Sequence, residues 1–153
     1  MTVEVTQEGV EAIDLIMPVM DQAFDPAFGE AWNREQCHGA LMLTGCVLLV
    51  ARRGGDVAGF AIARTVLDET ELMLIATAPP HQRHGVGLAL LESLLAHVRQ
   101  VNAKTIYVEM RHDNPAMAFY VNSAFTVIGE RRNYYRRSDG SFADALTLRH
   151  RLD

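Results

Sequence analysis

A chain of 153 residues, 49% hydrophobic and 22% charged, is long enough for one domain that buries roughly two thirds of its unfolded surface. Five Pro and eleven Gly are ordinary, and no window nears the roughly 18 apolar residues of a membrane span, which excludes disordered, collagenous and transmembrane classes. The net charge of −5 hides a split: residues 1–75 carry twelve acids against four Arg, and residues 76–153 carry seven acids against nine Arg and Lys104.

Val3 and Val5 alternate with polar residues as a short strand, and Val10, Ile13, Leu15, Ile16 and Met20 then recur at helical spacing. Pro18 bends or interrupts that helix. After the Asp25-Pro26 turn and Gly29, a second helix is expected from about Ala31 to Leu43. Cys46 to Arg53 is an apolar, β-branched run that ends in Gly54-Gly55-Asp56, a hairpin signal, and Val57 to Leu67 is the returning strand. Asp68 and Glu69 make a further turn, and Glu71 to Thr77 closes an antiparallel meander. Pro79 and Pro80 stop that strand.

From Val86, the residues Leu90, Leu91, Leu94, Leu95 and Val98 mark an amphipathic helix to about Val101. Thr105 to Arg111 alternates strictly, with Ile106, Val108 and Met110 on one face and Tyr107, Glu109 and Arg111 on the other. Asn114 is placed to cap a helix whose first position is Pro115. Two last strands, Phe125 to Tyr134 and Phe142 to Leu152, flank Ser138-Asp139-Gly140-Ser141. With no repeat, linker or low-complexity tract, the chain is expected to be one domain over 1–153. Its fold class is α+β (mixed α/β), in the order βααβββαβαββ around one mixed sheet.

The segment Gln82-Arg83-His84-Gly85-Val86-Gly87, between a strand and a helix start, carries the clearest chemistry. Two glycines allow close approach of the backbone to a ligand, and the unpaired amides of a helix start converge on one spot. That is a phosphate-binding arrangement. No Lys-Ser/Thr follows, so it is not a Walker A loop, and Leu90 occupies the last glycine position of a dinucleotide fingerprint. There is no Gly-x-Ser-x-Gly for serine hydrolysis. His81 and His84 lack further ligands for a metal, and none is expected. Cys37 and Cys46, nine apart, show no ligand spacing and read as buried fillers in a reducing compartment. The start of the chain lacks the pattern of a signal peptide, so the expected location is cytoplasmic.

The loop and its flanking strand and helix resemble the acetyl-CoA-binding motif of the GCN5-related N-acetyltransferase (GNAT) family, Gln/Arg-x-x-Gly-x-Gly/Ala, matched by Gln82, Gly85 and Gly87. The resemblance extends over essentially the whole chain. Within the family the sequence is similar to the bacterial ribosomal-protein alanine N-acetyltransferases, through Ile75-Ala76-Thr77, Glu109 to Tyr120, and Arg131-Arg132-Asn133-Tyr134-Tyr135 with Ser138-Asp139-Gly140.

The resemblance implies that acetyl-CoA lays its pantetheine arm along a strand edge at Ile75, Ala76 and Thr77, between splayed strands, and sets its pyrophosphate on the amides of Arg83, His84, Gly85, Val86, Gly87 and Leu88. It also implies that Glu109 is the general base, Tyr120 the general acid, and Tyr134 and Tyr135 the lining of the acceptor slot. Either Asn114 or Asp113 meets the pantetheine, because the family's Asn precedes the Tyr by seven residues and Asn114 precedes Tyr120 by six. Ala124 stands where the family has Gly, which requires φ below zero there.

The implied reaction is acetyl transfer from acetyl-CoA to an amine, with the N-terminal alanine of a ribosomal protein foremost. A polyamine or small-molecule acceptor, or a non-catalytic acyl-CoA sensor, is the alternative. A protein N-terminus is the easier nucleophile: neutralising an α-amine at pH 7 costs about 1 kcal/mol, against about 4.6 for lysine. The basic cluster of Arg131, Arg132, Arg136 and Arg137 is assigned to the acceptor loop or strand end rather than to nucleic acid. Neither nucleic acid nor membrane is an expected partner, and the expected state is monomer or dimer.

Overall fold

Val47 to Ala51 are five consecutive apolar residues, and all five are buried. Successive residues of a strand face opposite sides, so such a run requires cover on both faces of its sheet. The computed structural model, which describes residues 2–25 and 29–152, supplies that cover. Its elements are β1 (Val3–Glu8), α1 (Ile13–Ala23), α2 (Arg34–Leu41), β2 (Cys46–Arg53), β3 (Asp56–Val66), β4 (Glu69–Thr77), α3 (Val86–Gln100), β5 (Thr105–Arg111), α4 (Met117–Asn122), β6 (Thr126–Arg136) and β7 (Phe142–Arg151). Val47, Leu49 and Ala51 join Leu90, Leu91, Leu94 and Val98 of α3 in one core cluster. Leu48 and Val50 join Ile13, Ile16 and Met20 of α1 in the other.

The seven strands run in the order β1-β2-β3-β4-β5-β7-β6. All pairings are antiparallel except β4 with β5. The expected order of elements is therefore the observed one, and β2 and β5 have the expected bounds.

Several boundaries differ, among them the start of β4 at Glu69 instead of Glu71 and the end of β6 at Arg136 instead of Tyr134. The second helix spans 34–41 instead of 31–43, because Asn33 and Gln36 form a capping box: Asn33 Oδ1 accepts from the Gln36 amide and Gln36 Oε1 from the Asn33 amide, each at 2.8 Å. Helix α4 starts at Met117 and not at Pro115. Asn114 Oδ1 accepts from the Ala116 amide at 2.8 Å, closing a separate turn before the helix. Pro18 lies inside α1 without ending it. The expected Asp25-Pro26 turn falls partly outside the described residues.

The end of α4 carries a further difference. The Phe125 amide donates to the Tyr120 carbonyl (3.0 Å) and the Ala124 amide to the Val121 carbonyl (3.2 Å). This is a Schellman ending, accompanied by its usual apolar contact, here between the Phe125 and Tyr120 rings with centroids 5.4 Å apart. The motif demands a left-handed residue between them. Ala124 has φ +66°, contrary to the negative value expected from its side chain. Replacing Ala124 with Gly is expected to stabilise the protein by about 0.5–1 kcal/mol, since the left-handed strain exceeds the entropy cost of glycine. A higher urea midpoint at unchanged slope is the check.

Candidate active site

Strands β4 and β5 pair only at Glu69↔Thr105, Thr70↔Ile106 and Glu71↔Tyr107. Beyond that point both continue, unpaired with each other. Opposite β3, Leu72 faces Ala63 and Leu74 faces Ile62, so Met73 is an inserted residue. A bulge bends its strand and increases the local twist, and this one sits where the two strands part. The gap is a cleft of about 710 Å³ whose walls are Leu72 to Thr77 on one side and Val108 to Arg111 on the other. Ile75, Ala76, Thr77, Gln82, Gly87, Glu109, Asn114 and Tyr120, all expected at the site, line it.

One end of the cleft is the start of α3. Gly59 seats that helix close to the sheet: a Cβ there would lie 2.6 Å from the Ala76 carbonyl oxygen and 2.9 Å from Val86 Cγ1. The chain enters the helix through Arg83 (φ +63°) and Gly85 (φ +79°). The Ala89 amide reaches the Gly85 carbonyl at 3.0 Å, so the amides of Val86, Gly87 and Leu88 have no acceptor within the helix. The first turn holds no acidic side chain. A bare, positive helix start of this kind accepts an anion. A Cβ at Gly87 would meet nothing nearer than Phe119 at 3.7 Å, so internal packing does not demand this glycine. The side chain of Val86 is buried in the core and contributes to the loop only through its amide. Those of Arg83, His84 and Leu88 lie outside the lining of the cleft.

Glu109 and Tyr120 come from β5 and α4, and both line the same cleft despite the short turn that joins the two elements. The side chain of Glu109 is 28% exposed, and Arg131 Nε lies 3.9 Å from its Oε2. Tyr120 is 3% exposed, held edge-on between Phe119 and Phe125. Burial pushes its phenol far above the usual range, so it is a proton carrier at neutral pH.

Asp113 and Asn114 differ in what occupies them. Asp113 binds Arg111 Nη1 at 2.9 Å and Arg137 Nη2 at 2.7 Å, and the Asn114 carboxamide oxygen caps Ala116. Three residues of β6, 132–134, stand against Asp144 alone between the pairs Arg131↔Ala145 and Tyr135↔Ala143. Asn133 takes φ +53° there and donates its amide to Asp144 Oδ1 at 2.8 Å. Tyr134 and Tyr135 follow, edge to face at 5.2 Å, with the Arg131 guanidinium 5.1 Å above the Tyr134 ring. Tyr135 does not line the cleft, but its phenol is pushed up to about 12 by burial and then by the charges of Glu109 and Glu30.

Of the basic cluster, Arg131 faces Glu109 and Arg137 binds Asp113. Sequence reasoning counts Glu30, with Asp25 and Glu35, only as an acidic face that could attract a basic acceptor, and misses that Glu30 and Arg111 pair at 3.2 Å and line the cleft. The only local signal is the place of Arg111 on the polar face of β5, two residues after Glu109. Among the described residues no group of three His, Cys, Asp or Glu is placed to hold a metal. Burial raises both cysteine thiols, which disfavours the nucleophilic thiolate.

The model of the Acetyltransferase (GNAT) family matches residues 13–125. The [Ribosomal protein bS18]-alanine N-acetyltransferase of Escherichia coli K12 is 42% identical over 97 residues, 63% of this chain and 65% of that protein. The N-alpha-acetyltransferase RimI of Mycobacterium tuberculosis is 39% identical over 104 residues, 65% and 62% of the two lengths. The chain thus covers just under two thirds of the curated relatives it matches. The crystal structure of the ribosomal-protein-S18-alanine N-acetyltransferase from Escherichia coli superposes with a TM-score of 0.89 at 28% identity, over 99% of this chain and 95% of that one.

The ion pairs of Asp113 generate a pH dependence. Burial alone would raise its carboxyl, but the Arg137 hydrogen bond and the charges of Arg111 and Arg137 outweigh it and hold it below the ordinary range. Its stabilisation is then present above the unfolded value near 3.9 and is lost as pH falls through the lower folded one. Asp113→Asn should flatten the fall in stability below about pH 4, read from urea midpoints along an acid series.

Proposed function

The chain belongs to the acetyltransferase (GNAT) family, and from that footing we propose that it transfers acetyl from acetyl-CoA to the N-terminal amine of a protein, foremost the N-terminal alanine of a ribosomal protein. The observation that carries the reading is the convergence of Glu109, Tyr120 and a bare helix start on one cleft between parted strands. The names of the relatives support the acceptor class.

Bound in this cleft, acetyl-CoA supplies a thioester whose acetyl carbon is the electrophile. The free edge of β4 at Ile75 to Thr77 offers backbone groups to the amides of the pantetheine arm, a ligand acting as an added strand. The amides of Val86 to Leu88 receive the pyrophosphate, with Arg83 beside them. Glu109 takes the proton that the α-ammonium must lose before its nitrogen can attack. A step that costs about 1 kcal/mol at pH 7 needs no stronger base. Tyr120, kept protonated by burial, donates to the departing sulfur and regains a proton from the nitrogen as the amide forms. Tyr134 and Tyr135 border the approach of the acceptor chain, and the work is placed in the cytoplasm, where ribosomal proteins are made. The test of the acceptor is a thiol-release assay over alanine-initiated peptides, lysine peptides and polyamines, with the first expected to turn over best.

Glu109→Gln and Tyr120→Phe are each expected to lower turnover about 10²- to 10⁴-fold with acetyl-CoA affinity little changed. Steady-state rates set beside calorimetry check the split, and a mere acyl-CoA sensor would bind equally well and turn over nothing in any form. Gly85→Val is expected to weaken acetyl-CoA binding about tenfold or more. A Cβ at Gly85 meets no atom within 4 Å, so the loss arises from forcing a β-branched residue to φ +79°. Equal affinity by calorimetry would count against the phosphate loop.

A further inference from the structure

Arg111 ends β5 and shares the face of Glu109, two residues earlier. Its side chain is 9% exposed, an expensive place for a cation unless partners surround it. One distant segment meets it directly, and a second reaches it through the adjoining turn. Nη2 lies 3.2 Å from Glu30 Oε1, in the stretch between α1 and α2. Nη1 donates to Asp113 Oδ1 at 2.9 Å, in the turn after β5. Asp113 Oδ2 in turn accepts from Arg137 Nη2 at 2.7 Å, while Arg137 Nη1 donates to the Phe142 carbonyl at 2.9 Å and clasps the β6–β7 hairpin.

The hairpin needs an outside tie. Strand β6 is the edge of the sheet, and its ladder to β7 is broken over 132–134, immediately before Tyr135. The ladder resumes at Tyr135↔Ala143, beyond the last β5–β7 pair at Arg111↔Ala145, so this end of the hairpin runs past β5, and the chain Arg137–Asp113–Arg111 ties it back. A planar fork presents separate donors to two carboxylates in a fixed geometry, which a lysine ammonium does not. We propose that Arg111 is a positioning residue for the acceptor, holding the α1–α2 stretch and the β6–β7 hairpin at a set distance on either side of Glu109. The inference rests on the acyl-transfer reading above and adds to it what grips the incoming chain. The amides at the start of α3 and the edge of β4 at Ile75 to Thr77 lie on other segments, so the main cofactor contacts are kept when Arg111 is changed.

The test uses the full chain. Arg111→Lys keeps the charge and removes the fork. Its KM for an alanine-initiated peptide should rise about tenfold or more, with kcat within about threefold and the calorimetric Kd for acetyl-CoA within about twofold. Arg137→Gln, at the 24% exposed end of the chain of ion pairs, leaves the folding of β5 aside and should raise the same KM several-fold. The double variant should be no worse than Arg111→Lys alone, because both changes cut one linkage; general damage would add. An acceptor KM within about twofold of wild type in both single variants overturns the proposal, as does an equal loss in cofactor affinity. If the thiol-release panel singles out spermine, spermine replaces the peptide and the comparison stands. If wild type turns over no amine, the acyl-transfer reading falls; amide exchange over Tyr135 to Phe142 in Arg137→Gln then decides the clamp, with faster exchange expected and unchanged exchange against it.

Discussion

The parting of β4 from β5 is the constraint on which the rest of the structure depends. A sheet interior normally satisfies its own backbone groups, and leaving them unpaired is costly unless a ligand or solvent takes them. Here two strands run in register for three residues and then separate around the inserted Met73. The separation creates the cleft, exposes the edge of β4 to an amide-bearing ligand, and sets Glu109 on the opposite wall. The start of α3 closes one end because Gly59 lets the helix come down onto the sheet. Without the parting, Glu109 would be one more polar residue on a strand.

Charge is graded along this cleft. At the α3 end, unpaired amides face outward with no acidic side chain in the first turn. At the other end, Glu109 and Glu30 raise the Tyr135 phenol while Arg131 and Arg111 stand close to the two carboxylates. On the proposed reading, the anionic cofactor meets the unpaired amides and the acceptor amine meets Glu109.

Tyr120 shows how the site draws on the fold. Its ring is fixed by the ending of α4, through the Phe125 contact and the hydrogen bond to its own carbonyl. That ending places Ala124 in a conformation that suits glycine. Local strain of this kind persists where the surroundings overdetermine the backbone, and here they do so next to the proposed acid.

Much of the fold is legible in residue order because burial has a period. The unbroken apolar run of β2 and the strict alternation of β5 define both strands to the residue, since each reports how many faces are covered. Gln82, Gly85, Gly87, Glu109 and Tyr120 are legible because a loop before a helix and a polar strand face are local chemistry. The bulge at Met73, the left-handed Ala124 and the bond of Asn114 to Ala116 are not, because each answers to hydrogen bonds with partners that a periodic pattern does not record. Least legible of all is the meeting of Glu30, Arg111, Asp113 and Arg137, four charges spread over more than a hundred positions. A charged residue shows its type in the chain, but its partner is a matter of distance, and distance exists only after the chain has folded.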